Sequence, residues 1–225
     1  MKLANGQSEQ DKFVINVLKE KKDGFFVEIG SNNPRDINNS YLLETQYDWK
    51  GIMVEYNEKW LDSYKEHRPN SIHIINDATK IDYLDLFSKN NVPNDIDYLQ
   101  IDLEVEDGGT LNTLIKLNET IMDKYRFATV TFEHDVYQSN YLDTRLESRK
   151  IFESRGYLRV FDDVSNCECP YEDWYVHPDL VDMNLIAELK NKNNANYIKT
   201  HDYPHLHECY TLGVKRIIPW KRIQY

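Results

Sequence analysis

Five short runs of β-branched and aromatic residues, each followed by a polar turn and then a helical pattern, constrain this chain more than any other feature. They are Phe25–Ile29 (FFVEI) and residues 51–55 (GIMVE), 71–76 (SIHIIN), 96–102 (IDYLQID) and 128–133 (ATVTFE). The first is nearly continuous in apolar residues and ends at Gly30, the mark of a strand buried on both faces. Helical periodicity fills the intervals, over residues 41–47, 58–67, 84–89 and 111–117, and precedes the first strand over about 9–21, where Phe13, Val14, Val17 and Leu18 share a face. Strands alternating with helices predict βαβ units and a mostly parallel α/β sheet. Two further strands, over 157–161 and 174–176, flank the polar stretch 162–173 and are expected to pair as an antiparallel edge, giving seven strands in all.

The 225 residues suit one domain over 1–225, with about 180–225 as an extension of its own. An apolar fraction of 40% is enough for a packed core. The net charge of -11 repels a phosphate backbone, so nucleic acid is not expected as a partner; the basic residues Lys215, Arg216, Lys221 and Arg222 form only a short cluster. No run is long and apolar enough to span a membrane, and the first residues lack a secretory apolar core, so a cytoplasmic protein without membrane contact is expected. The three cysteines, Cys167, Cys169 and Cys209, fit reduced thiols better than a disulfide scaffold. With His205 and His207 they supply zinc-ligand types, but C-x-C and H-x-H-x-C are not the spacings of common zinc modules.

In an open α/β sheet, ligands bind beyond the carboxyl ends of the strands, so the residues after each run carry the functional reading. Gly30, Ser31, Asn32 and Asn33 follow the first, where a missing side chain lets backbone approach a ligand. Asn32 stands where a dinucleotide loop has its second glycine, which disfavours a cradled pyrophosphate. Glu55 ends the second run and can accept from both hydroxyls of a ribose; Asp77 and Ala78 follow the third and suit an adenine, one by accepting from its amine and one by clearance. Asp102 and Glu104 follow the fourth, and Glu133, His134 and Asp135 the fifth. Asp102, Glu133 and His134 are the candidates for Mg²⁺ or Mn²⁺ ligands; His134 is alternatively a general base, and a plain solvated acidic rim is the bland reading.

The segments FFVEIGSNN, NNSYLLE, WKGIMVE, DYLQIDLEVEDGGTL and TVTFEHD, in that order over about residues 7–178, resemble the FkbM family of S-adenosylmethionine-dependent methyltransferases. The resemblance implies a Rossmann-like class I methyltransferase fold. It also implies that Glu28, Gly30 and Ser31 hold the methionine part of the cofactor, joined by Asn39 and Ser40 at a helix start. Glu55 would take the ribose, Asp77 and Ala78 the adenine, and Asp102 would also face the cofactor. Where that family has Asp-x-Glu-Gly, this chain reads Asp102, Leu103, Glu104, Val105, so the glycine is replaced.

The activity implied is O-methylation of a sugar or glycan hydroxyl from S-adenosylmethionine, with Asp102, Glu133 and His134 helping the hydroxyl lose its proton. The alternative is a non-catalytic cofactor- or glycan-binding member of the same fold. Tyr171, Trp174 and Tyr175 are expected either to stack on a sugar ring or to serve as ordinary core.

Overall fold

A computed structural model describes residues 4–138, 141–166 and 169–196. Seven strands form one sheet: β1 (Phe25–Ile29), β2 (Lys50–Glu55), β3 (Ile72–Ile75), β4 (Asp95–Ile101), β5 (Arg126–Glu133), β6 (Leu158–Asn166) and β7 (Cys169–Val176). Their order is β3-β2-β1-β4-β5-β7-β6. The first five are parallel; β7 runs antiparallel to both β5 and β6, so the expected antiparallel pair closes one edge with β6 outermost. This is a Rossmann-like α/β fold, wound outward from β1 and β4.

Helices cover both faces because the central strands are apolar on both. α1 (Gln10–Val17), α2 (Tyr41–Tyr47), α3 (Leu61–His67) and α7 (Met183–Asn196) lie on one side, where Phe13, Leu43, Tyr64 and Ile186 pack with Phe26, Tyr98 and Trp174. α4 (Tyr83–Lys89), α5 (Gly109–Thr120) and α6 (Leu142–Ser154) lie on the other, where Phe87, Leu114 and Phe152 pack with Val27, Leu99 and Phe132. α7 occupies the start of the stretch expected to be an extension, and its Ile186 and Leu189 belong to the core.

α6 lies in a region with no apolar period. Its buried positions are Thr144, Ser148 and Phe152, one helical turn apart but mostly polar. Within the polar stretch, residues 162–166 and 169–173 are likewise strand rather than loop, because the buried acids Asp163 and Asp173 are paired with Arg145 and Arg149 of α6. Trp174 and Tyr175 are fully buried, Trp174 against Phe13 with ring centroids 4.8 Å apart, so the aromatic run is core and not a stacking platform.

The loop after β1 is fixed by a buried cation. Arg68, with no exposed surface, donates from Nε to Glu44 at 2.8 Å, from Nη1 to Asn38 Oδ1 at 2.8 Å and from Nη2 to Ser40 Oγ at 2.7 Å. Truncating one partner of a buried charge network leaves the other charge uncompensated. Arg68→Ala is therefore expected to destabilise the protein by about 3–5 kcal/mol in urea denaturation, well above the effect of a surface arginine such as Arg35.

Candidate active site

Three successive strand ends shape a cleft of about 520 Å³. Val54, Glu55 and Tyr56 come from β2, Asn76 to Thr79 follow β3, and Leu103, Glu104 and Asp107 follow β4; Gly109 and Asn112 of α5 complete it. Glu55 Oε2 accepts from the Asn32 amide and Oε1 from the Asn57 amide, both at 2.8 Å, so the carboxylate is held in place and each oxygen keeps a lone pair for a ligand. Ala78 is buried beneath the cleft. Asp77 is more committed than its sequence position suggests: it accepts from Thr79 N and Oγ1 at 2.9 and 2.6 Å and pairs with Lys80 at 2.8 Å. The Lys80 contact above all lowers its carboxyl to about 2. Its first task is to cap the short turn that presents Ala78. Tyr56, 77% exposed beside Glu55, lines the same cleft and was not singled out by the sequence, where it reads as an ordinary loop aromatic.

Gly30 has φ +89, and a Cβ there would lie 1.7 Å from the Asp102 carbonyl oxygen. The glycine is required by the close approach of β1 and β4 as well as by any ligand. A Gly30→Val variant would part the strands, so loss of ligand binding by that variant does not locate the ligand.

Glu28 is fully buried, with Oε2 accepting from Asn38 Nδ2 at 3.1 Å and Oε1 from the Ser40 amide at 3.2 Å. Burial raises its carboxyl, and Arg68 opposes the rise. Ser31 donates to the Glu28 carbonyl at 3.3 Å. Glu28, Ser31 and Ser40 thus hold the loop over residues 31–40 from beneath. Asn39 is buried beside Gly6, with its Oδ1 lacking a partner among the described residues. Asn38, Glu44 and Arg68, which complete this network, carry no local sequence signal: their pairing joins segments 24 to 30 residues apart.

The strand register explains what happens at the fourth and fifth strand ends. Glu28, Gln100, Thr131 and Trp174 stand level across β1, β4, β5 and β7. Two residues on, Gly30, Asp102, Glu133 and Glu172 form the next row on the same face, because side chains alternate with period two. Asp102 and Glu133 interact carboxyl to carboxyl, and burial above all raises both. Burial pushes Glu172 up to about 8, and burial together with Asp102 pushes Asp135 up to about 6. Gln10 of α1 donates to Glu172 at 2.8 Å and reaches Tyr171 Oη at 3.3 Å. Gln10 was not anticipated as a site residue, since it lay at a helix start.

His134 does not join that row. One residue beyond Glu133, it points to the opposite face, fully buried, with Nδ1 accepting from the Val136 amide at 3.2 Å and Nε2 facing Asp173 at 3.5 Å and Asp163 at 3.7 Å. Among the described residues, the His/Cys/Asp/Glu group whose ligand atoms lie within 4.8 Å is His134, Asp163 and Asp173, not Asp102, Glu133 and His134. The expected metal set and the expected histidine base are both overturned by strand alternation. Nor does the His134 group suit a divalent ion. Arg149 donates to Asp173 at 2.6 Å and to Asp163 at 3.0 Å, and Arg145 to Asp163 at 2.6 Å, so two guanidiniums already balance the two carboxylates. Burial tends to raise Asp173, but His134 and Arg149 prevail and hold it well below the usual range. Cys169 is disulfide-bonded, against the expectation of reduced thiols; Cys167, His205, His207 and Cys209 lie outside the described residues, as do Lys215, Arg216, Lys221 and Arg222.

No family model matches the chain, and no curated protein matches it. Solved structures resemble it. A TehB-like SAM-dependent methyltransferase from Corynebacterium glutamicum is similar at 9% identity over 75% of this chain and 87% of that one, with a TM-score of 0.46. A methyltransferase from Pyrococcus furiosus is similar at 14% identity over 75% of this chain and 81% of that one, with a TM-score of 0.46. No helix among the described residues is long and apolar enough to cross a membrane.

The raised acids predict a pH dependence of stability. Glu172 and Asp135 bind a proton more tightly folded than unfolded. Their stabilising contribution is complete below their ordinary values of 4.5 and 3.8 and is lost as pH rises through about 8 for Glu172 and about 6 for Asp135. The melting temperature of the ligand-free protein should fall by roughly 5 °C between about pH 5 and pH 8.5. Glu172→Gln, which keeps the shape of the protonated acid, should flatten the curve; a melting temperature that rises over this interval would contradict the assignment.

Proposed function

We propose that this chain transfers a methyl group from S-adenosylmethionine to a hydroxyl of a sugar or glycan. The observation that carries the reading is the cleft over β2, β3 and β4, whose 520 Å³ falls in the range of about 300–1,000 Å³ of small-molecule sites. It places Glu55, with a free lone pair on each oxygen, beside the small Ala78 and next to an acidic row. That sequence of groups suits a nucleoside lying along the sheet edge, with its amino-acid end toward Gly30 and Asp102. The resemblance of FFVEIGSNN, WKGIMVE and TVTFEHD to FkbM methyltransferases supports the same assignment.

When bound, the cofactor supplies an electrophilic methyl group. The chain's own contribution is orientation and proton removal. Glu55 accepts from the ribose hydroxyls, Ala78 gives clearance for the base, and the loop braced by Glu28 and Arg68 sets the direction of the tail. The Asp102 and Glu133 pair, whose affinity for protons burial raises, is the group placed to receive the proton of the acceptor hydroxyl. Asp135 and Tyr137 beyond β5, with Tyr141 near Glu104 and Glu106, form a rim of acids and aromatic rings, which suits a polyhydroxylated acceptor.

Calorimetry is expected to detect S-adenosylhomocysteine, and Glu55→Ala to weaken it by about 1–3 kcal/mol through lost hydrogen bonds. An unchanged affinity would move the nucleoside away from this cleft. A labelled-methyl screen should show transfer to sugars or short glycans over catechols, macrolide aglycones and RNA. Transfer confined to the latter group would refute the sugar acceptor, and binding without transfer to anything would favour the non-catalytic alternative.

A further inference from the structure

The segment that leads into α1 crosses the carboxyl edge of the sheet and is anchored on both sides of it. At one end, Asn5 Nδ2 donates to the Arg35 carbonyl at 2.7 Å and to the Asn38 carbonyl at 2.8 Å, both in the loop after β1. The Asn5 amide donates to Asp11 at 2.6 Å. At the other end, on β7, Tyr171 Oη donates to Ser8 Oγ at 2.6 Å. The Ser8 amide donates at 2.8 Å to Oε1 of Gln10, whose Nε2 holds Glu172. β4 and β5 lie between β1 and β7 in the sheet, so residues 5–10 pass along the strand ends that carry Asp102 and Glu133. The Tyr171 hydroxyl is within electrostatic reach of both acids. Between the anchors, Gly6 runs so close to Asn39 that a Cβ would lie 2.4 Å from its Oδ1, the buried acceptor that lacks a partner among the described residues.

Residues 5–9 read Asn-Gly-Gln-Ser-Glu and carry no apolar side chain to bury, whereas Phe13, Val14 and Val17 fix α1 in the core immediately beyond them. Glu9 joins the two parts in the left-handed conformation, with φ 63 and no side-chain cap. Residues at the ends of elements are where hinges form. A hydrogen bond exchanged for one to water gains little net, so a segment held by a few of them opens without unfolding the core. We propose that residues 5–9 are a lid that swings about Glu9, leaves the loop after β1 and the Tyr171 hydroxyl, and so opens the α1 side of the acidic row to a ligand. The proposal rests on the carboxyl edge being the reaction site and adds how that site is entered and shut. Opening also frees Asn39 Oδ1, an acceptor that the closed segment covers and leaves unfilled. Closing encloses Glu172 and the neighbouring Asp102 and Glu133 pair, as lids over reacting groups do.

The lid is tested on the full chain without cofactor, by labelling carboxyls with a water-soluble carbodiimide and glycinamide and mapping the tagged peptides by mass spectrometry. Buried Glu172 is expected to label slowly in the parent protein and roughly 2–10-fold faster in Asn5→Ala and in Ser8→Ala, the range for one lost hydrogen bond. Asp163, buried behind β5, should stay as slow as in the parent protein, which separates lid opening from general loosening. Hydrogen exchange gives a second readout. The amides of Asn5 and Ser8 should exchange through an opening that leaves those of α1 protected, and faster in both variants. Exchange of these two amides only together with α1 overturns the lid. So does Glu172 labelling that neither variant changes, or Asp163 labelling that rises in step with it. Addition of S-adenosylhomocysteine then addresses the reaction. Slower Glu172 labelling supports both the lid and the place of the cofactor; no effect of the cofactor on a lid that opens as expected sinks only the methyltransferase reading.

Discussion

The contact between the Gly30 backbone and the Asp102 carbonyl is the constraint on which the candidate site depends. It lets β1 and β4 run side by side up to their carboxyl ends, and the register passed on to β5 and β7 then brings Asp102, Glu133 and Glu172 together. The cleft floor depends on it as well, because Leu103 and Glu104 continue directly from Asp102. A side chain at position 30 would need over 1 Å of strand displacement to reach ordinary van der Waals distance. Such a shift would move one wall of the nucleoside cleft and one member of the acidic row at the same time.

The sheet handles buried negative charge in two ways. Behind β5, Asp163 and Asp173 face Arg145, Arg149 and the ring of His134, so two guanidiniums balance the two carboxylates. Two unit charges 4 Å apart attract by about 4 kcal/mol at an effective dielectric of 20, which offsets the cost of taking them from water and fastens α6 to the edge hairpin. In front of β5 no lysine or arginine among the described residues is ion-paired with Asp102, Glu133 or Glu172, and burial raises the proton affinity of all three. The first arrangement is rigid and indifferent to ligands. The second changes charge as its acids gain or lose protons, and this makes it responsive to whatever charge enters.

Most of the scaffold was legible in the sequence, because β1 to β5 owe their burial to apolar side chains and their helices to a 3.6-residue period. Glu55 and Ala78 were legible for a related reason: in a parallel sheet, the residue after an apolar run is at the carboxyl edge by construction. Legibility failed wherever burial was achieved by ion pairing. α6 and the strand halves over 162–173 read as polar surface, since Arg145, Arg149, Asp163 and Asp173 are polar residues that satisfy one another inside. His134 was misassigned for a different reason. Adjacency in sequence suggested adjacency in space, yet next to a strand end consecutive side chains face opposite ways, and Glu133 and His134 are separated by the sheet itself. Arg68 was invisible because its partners, Glu44, Asn38 and Ser40, come from another part of the chain.

A proton shared by Asp102 and Glu133 would give the proposed reaction a constant charge. Two carboxyls holding one proton carry a single negative charge, which balances a sulfonium brought beside them. The proton that an acceptor hydroxyl would lose on methylation could pass to the pair, which would then be neutral. The pair and a sulfonium would together be neutral before and after transfer, so no uncompensated charge would develop in a region of low dielectric. A histidine base would not achieve this, because accepting a proton would leave it cationic just as the sulfonium charge disappears. Carboxyls with strongly raised proton affinity therefore suit this chemistry better than the imidazole that stands next to them in the sequence.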